Sequence, residues 1–167
     1  MNEIISCPHC GTPLLHASGA AKSDILIIGE FPGKDEIDVG KPFVGATGRV
    51  LRTEMAIAGT DMVMCRVTNL WLHEPNKNED CFYYGFNEAL EEARGRRAIL
   101  LIGSETVNAF CDLPVSSVCG LEVSSPMLSA ELVMAIINPA IVFHRGIGEI
   151  RLALKKFNEA LVRKGIL

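Results

Sequence analysis

The chain has 167 residues, 49% hydrophobic and 22% charged, enough for one compact domain and too few for two of ordinary size. A mean hydropathy of +0.26 excludes a disordered polymer, and the lack of any sustained repeat excludes collagen and coiled coil; the longest apolar runs, such as 132–137, fall far short of the roughly 20 residues of a membrane helix. A net charge of −4 and a pI near 5.6 carry no global signature of a nucleic-acid binder, so such binding would need a local basic face.

In chain order, residues 1–22 read as an arm that carries Cys7-Pro8-His9-Cys10-Gly11 and a loose Ala/Ser/Gly stretch. Its start, Met-Asn-Glu, lacks the basic segment and apolar run of a secretory signal, which predicts a cytoplasmic protein. Ile25-Leu26-Ile27-Ile28, ending at Gly29, suits a strand buried on both faces. A loop rich in glycine, proline and charge follows to Gly45. Residues 47–58 then predict a helix with Val50, Leu51, Met55 and Ala58 on one face and Gly59 as its stop. A second strand is expected over 62–70, a polar loop over 73–80, a helix over 82–94 and a third strand over 98–102, closed by Gly103. Ser104 is expected to cap a short helix reaching Phe110. The stretch 112–131 is rich in turns, with a small extra strand expected over 117–123. A fourth core strand over 132–137 and a final helix over 147–163 complete the chain.

Strands alternating with helices at this spacing predict an α/β fold: a three-layer α/β/α sandwich around a mostly parallel four-stranded sheet, spanning 1–167 as one domain. In such folds ligands bind beyond the carboxyl ends of the strands. Three loops of unusual composition fall there: 29–45, 69–81 and 138–145. Gly29-Glu30-Phe31-Pro32-Gly33 lets backbone approach a ligand closely, yet it is neither a dinucleotide-binding nor a Walker A pattern. Gly40-Lys41-Pro42-Phe43-Val44-Gly45 presents one aromatic ring between stiffening residues, either a stacking platform or an ordinary core residue. Thr68-Asn69 ends the second strand, where an amide can donate and accept together against a planar base. Six cysteines in a cytoplasmic chain point to metal ligands or buried thiols before disulfides. Cys7 and Cys10 supply half a metal site, or a redox pair; Cys65, Cys81, Cys111 and Cys119 form no second such pair.

Gly29-Glu30-Phe31-Pro32-Gly33-x-x-Glu36, followed by Gly40-Lys41-Pro42-Phe43-Val44-Gly45-x-x-Gly48, resembles the first motif of the uracil-DNA glycosylase superfamily. The branch it is most similar to is the iron–sulfur one, family 4, with the pattern G-E-A-P-G-x-x-E-x-x-x-G-x-P-F-V-G-x-x-G. Val67-Thr68-Asn69 looks like that family's next strand, and 98–109 like its following segment. Asn138-Pro139-Ala140, with Arg145 nearby, stands where the family has a His-Pro-Ser loop. The resemblance covers roughly 7–160.

It implies hydrolysis of the N-glycosidic bond of uracil, or of a related modified pyrimidine, in single- or double-stranded DNA by a monomer that flips the base out of the stack. It further implies that Phe43 stacks on the base, that Asn69 bonds its pyrimidine edge, that Glu30 and Glu36 surround the pocket and its attacking water, and that Asn138 faces the base's O2. Phe31 replaces the family's small alanine, where other branches place a water-activating Asp or Asn; its ring either reshapes the pocket or packs beneath the loop. The family's third cysteine falls on His73 and its fourth shifts toward Cys81. Cys65, by contrast, lies four residues before Asn69 and roughly 13 Å from the rim. The implied ligands are therefore Cys7, Cys10, His73 and Cys81. The resemblance implies a 4Fe-4S cluster, whereas three cysteines and a histidine are by themselves a common structural zinc set. Arg145 is the cation expected to meet a DNA phosphate; the clusters at 94–97 and 151–164 read as solvated helix faces. A glycosylase or base-hypermodification enzyme for a non-uracil base, and a DNA-binding module that kept the fold without the chemistry, are the rival readings.

Overall fold

The computed structural model describes residues 5–167; the first four residues of the expected arm, including the Met-Asn-Glu start, lie outside the described residues. Four parallel strands, β2 (Ile25–Gly29), β3 (Arg66–Asn69), β4 (Ala98–Ile102) and β6 (Leu132–Ile136), form the centre of the sheet. Two short strands, β1 (Ser18–Gly19) and β5 (Leu121–Glu122), pair antiparallel at its edges, giving the order β1-β3-β2-β4-β6-β5. The sheet thus has six strands where the apolar pattern predicts four. Two-residue edge strands are recruited by backbone pairing and leave no periodic signal.

Alternation along the central strands builds two cores. Ile25, Ile27, Leu100, Ile102, Met134 and Ile136 face helices α2 (Ala46–Ala58) and α7 (Gly148–Arg163). Leu26, Ile28, Ile99, Leu101, Val133 and Ala135 face α3 (Glu79–Ala93) and α4 (Ser104–Cys111) on the other side. Strands covered on both faces read as continuous apolar runs, which is why β2, β4 and β6 stand out in the sequence, whereas β3, Arg66-Val67-Thr68-Asn69, carries only one apolar residue. Among the described residues no helix is long and apolar enough to cross a membrane.

Several local expectations are corrected. The predicted strand over 62–70 begins as a 3-10 turn, Met62–Met64, because the Asp61 side chain accepts from the Val63 N–H. Its strand portion starts only at Arg66. The extra strand over 117–123 splits into a helical turn, α5 (Val115–Val118), and β5, separated by Gly120 in a left-handed conformation. Ser104 does not cap α4; Gly103 holds that position, and the acceptor comes from another loop altogether. Within the loops lie two short helices, α1 (Lys34–Val39) and α6 (Val142–Arg145), too brief to show periodicity.

Most basic residues of the two clusters are paired: Arg96 with Glu92, Arg97 with Glu131, Arg163 and Lys164 with Glu122, and Arg151 with Glu54. The last pair joins α2 to α7 through two hydrogen bonds, 2.8 and 2.9 Å, to a carboxylate only 6% exposed. Bonding from Arg151 holds the Glu54 carboxyl below its ordinary value of 4.5. A depressed folded-state pKa contributes stability above the unfolded value, and that stability is lost as pH falls through the folded one. Thermal melts across pH should therefore show Glu54→Gln melting below the wild type at neutral pH, with the gap closing in acid below about pH 4.5.

Candidate functional site

The carboxyl ends of all four parallel strands meet at one cavity of about 360 Å³. Gly29 from β2, Asn69 from β3, Ile102 from β4 and Asn138 just beyond β6 line it, with Phe31, Asp35, Glu36, Phe43 and Thr47 from the intervening loop and the start of α2. This is the crevice expected where the chain leaves β2 first toward β3 and then, on the other side, toward β4.

Gly29 and Asn69 are register partners at the tips of adjacent strands. A Cβ on Gly29 would lie 2.5 Å from Phe43 Cζ and 2.6 Å from Asn69 Oδ1, so the missing side chain is what lets ring and amide share the cavity floor. Phe43 itself is left-handed (φ 55°), a conformation disfavoured for a bulky residue and held here by its surroundings. Arg52 donates to the carbonyls of Phe43 and Pro42, Arg49 donates to that of Val44, and the Phe43 backbone packs against Gly48, where a Cβ would collide with it. Asn69 is more than nine-tenths buried, yet its amide has no hydrogen-bond partner among the described residues, and it faces the cavity.

Three carboxylates line the cavity, and they differ in what occupies them. Glu30 accepts from Asn138 Nδ2 (3.0 Å) and from the backbone N–H of Glu105 (3.1 Å). It therefore caps α4, the duty expected of Ser104. Glu36 accepts from the Gly45 N–H at the start of α2 (3.3 Å). Asp35 lies beside Glu36 over Gly45 and has no hydrogen-bond partner among the described residues. Sequence reasoning missed Asp35; its place in the first turn of a six-residue helix gives no signal except acidity at a helix N-terminus. Asn138 Oδ1 accepts from Ala140 N–H (2.9 Å), so the side chain is held at both ends while one amide hydrogen stays free. Phe31 stands at the mouth, 46% exposed, so it does not pack beneath the loop. Arg145 is exposed at the end of α6, outside the cavity lining.

A second cluster forms away from the cavity. Cys7, Cys10, His73 and Cys81 bring their ligand atoms within 4.8 Å of one another. The arm reaches this place because the Leu15 N–H donates to the Leu72 carbonyl. Hydrogen bonding with Thr12 pulls the Cys10 thiol down to about 6, while burial pushes Cys81 up to about 11. None of the four lines the cavity. Cys65 is buried in the opposite core, its thiol pushed up to about 12 by burial, and takes no part.

The profile of the uracil DNA glycosylase superfamily matches residues 16–162. The chain is 35% identical over 85 residues to the type-4 uracil-DNA glycosylase of Archaeoglobus fulgidus, an alignment covering 48% of this chain and 43% of that protein. Over the same length it is 36% identical to the type-4 enzyme of Sulfurisphaera tokodaii (47% and 38% covered) and 41% identical to that of Saccharolobus solfataricus (47% and 39%). The chain belongs to the uracil-DNA glycosylase superfamily. It spans about two fifths of the length of the curated relatives it matches.

Glu30 faces two donors, so glutamine cannot replace it without turning an N–H toward one of them. Glu30→Ala should lower stability by about 1–3 kcal/mol, and Glu30→Gln by nearly as much, in denaturant melts.

Proposed function

We propose that the protein hydrolyses the N-glycosidic bond of uracil, or of a related modified pyrimidine, in DNA. The observation that carries this reading is Asn69: a residue 4% exposed whose amide has no protein partner among the described residues and opens into the cavity beside an aromatic ring, with room there for a nucleobase. A carboxamide there donates to a pyrimidine carbonyl and accepts from the adjacent ring N–H, a pairing that uracil satisfies and that cytosine meets only with the amide reversed. A base reaches the cavity only when flipped from the stack, and Phe43 supplies the stacking surface that replaces its neighbours.

As the glycosidic bond lengthens, positive charge develops on the sugar and negative charge on the departing base. The free amide hydrogen of Asn138 is aimed by the Glu30 and Ala140 bonds and stabilises that base anion. Glu30 is thus a positioning residue in this reading. Asp35, with Glu36 beside it, orients the attacking water and takes its proton as the C1′–O bond forms. Arg145 meets a phosphate of the flanking strand. The metal on Cys7, Cys10, His73 and Cys81, a 4Fe-4S cluster or a zinc ion, fastens the arm to the loop after β3; its ligands lie outside the cavity lining, so no step of the chemistry passes through it. A monomer acting in the cytoplasm completes this reading.

Abasic-site formation on single- and double-stranded oligonucleotides carrying uracil or modified pyrimidines tests the proposal. Release of uracil supports it, and DNA binding without an abasic site on any substrate overturns it. Asn69→Ala and Asp35→Asn should each lower single-turnover excision by about 10²-fold or more. Their melting temperatures should stay near that of the wild type, since neither side chain bonds to protein among the described residues.

The ring at the cavity mouth favours a second reading, selection of a modified base. Phe31→Ala should then widen the range of bases released. Because the ring is 46% exposed, the same change should leave the melting temperature nearly unchanged.

A further inference from the structure

We infer that Cys7, Cys10, His73 and Cys81 hold one zinc ion in place of the iron–sulfur cluster of the branch this chain resembles. The distances decide it. Four ligands around a single tetrahedral zinc, with Zn–S near 2.3 Å and Zn–N near 2.0–2.1 Å, put sulfurs about 3.8 Å apart and a sulfur and a nitrogen about 3.5 Å apart. Cys7 Sγ and Cys81 Sγ are 3.7 Å apart, and Cys10 Sγ and His73 Nε2 are 3.5 Å apart. A cubane places iron and bridging sulfide between its ligands and spreads the thiolates to about 6 Å or more. Here no two ligand atoms exceed 4.8 Å, so four irons do not fit between them.

The groups around the ligands agree. His73 Nδ1 is 2.7 Å from the Glu74 carbonyl, which fixes the proton on that nitrogen and leaves the Nε2 lone pair facing the thiolates. Asn76 Nδ2 donates to Cys81 Sγ at 3.5 Å, a bond that suits a thiolate carrying charge. Three thiolates and one neutral imidazole form a closed tetrahedral set, with no place left for water or substrate. The ion is therefore structural. It joins the Cys7–Cys10 turn to the loop after β3 and the first turn of α3.

Metal content tests this without reference to excision, so its failure is distinct from failure of the function proposed above. Protein expressed with both iron and zinc supplied, and purified anaerobically, should contain about one zinc per chain, no acid-labile sulfide and no visible charge-transfer band. Expression with cobalt in place of zinc should give the intense visible bands of a tetrahedral thiolate-bound ion. Iron with labile sulfide, iron alone, or no bound metal would each overturn the assignment. Cys10 is the exposed ligand, so Cys10→Ser leaves the packing intact. It should lose zinc to a chelator at least about ten times faster than the wild type; an unchanged rate would place the zinc elsewhere and overturn the proposal.

Discussion

One carboxylate ties the walls of the cavity together. Glu30 leaves the tip of β2 and accepts from the first turn of α4 and from the Asn138 amide beyond β6. The backbone reinforces the junction: the Gly29 carbonyl accepts from Leu70 N–H and from the Thr106 hydroxyl, and the Glu30 carbonyl accepts from Trp71 N–H. Segments as far as 108 residues apart in sequence are thus held in one arrangement before any ligand arrives. In the function proposed above, donors fixed in advance need no reorganisation when charge develops, which would let an amide as weak as asparagine serve there.

The aromatic side of the cavity depends on sterics instead of charge. Phe43 keeps its left-handed backbone because Gly48 clears space behind it and two arginines hold the neighbouring carbonyls. That arrangement costs on the order of 1 kcal/mol locally and is sustained by the bonds around it. The result is a ring that packs on the α2/α7 core on one side and lines the cavity on the other, a property suited to a stacking surface. The cysteine and histidine cluster lies in a different region, and the two systems share no ligand or lining residue.

How legible this was in the sequence follows from the physics of each part. Three of the four central strands, β2, β4 and β6, show as apolar runs because both faces are buried, and the long helices show through one-sided periodicity. Edge strands of two residues and helices of four to six carry too little pattern to be seen. Phe43, Asn69 and Asn138, which the loop and strand-end pattern singles out, line the cavity because strand ends converge in this topology. The work of Glu30 could not be read, since its partners, Glu105 and Asn138, are 75 and 108 residues away. Ser104 looked like a cap for the same reason: local rules favour it, and a distant carboxylate outcompetes it. Asp35 escaped notice because what marks it is the lack of a partner, a property that exists only in three dimensions.

The brief strands at the sheet margins have a consequence for colloidal behaviour. A parallel sheet ending in β3 and β6 would offer each passing chain a row of unpaired backbone groups. β1 and β5 cover those rows with only two residues apiece, too short a ladder to recruit another strand firmly. Among the described residues the sheet therefore ends in margins that resist fibril-like growth, letting a strongly apolar interior be kept in crowded surroundings without runaway self-association.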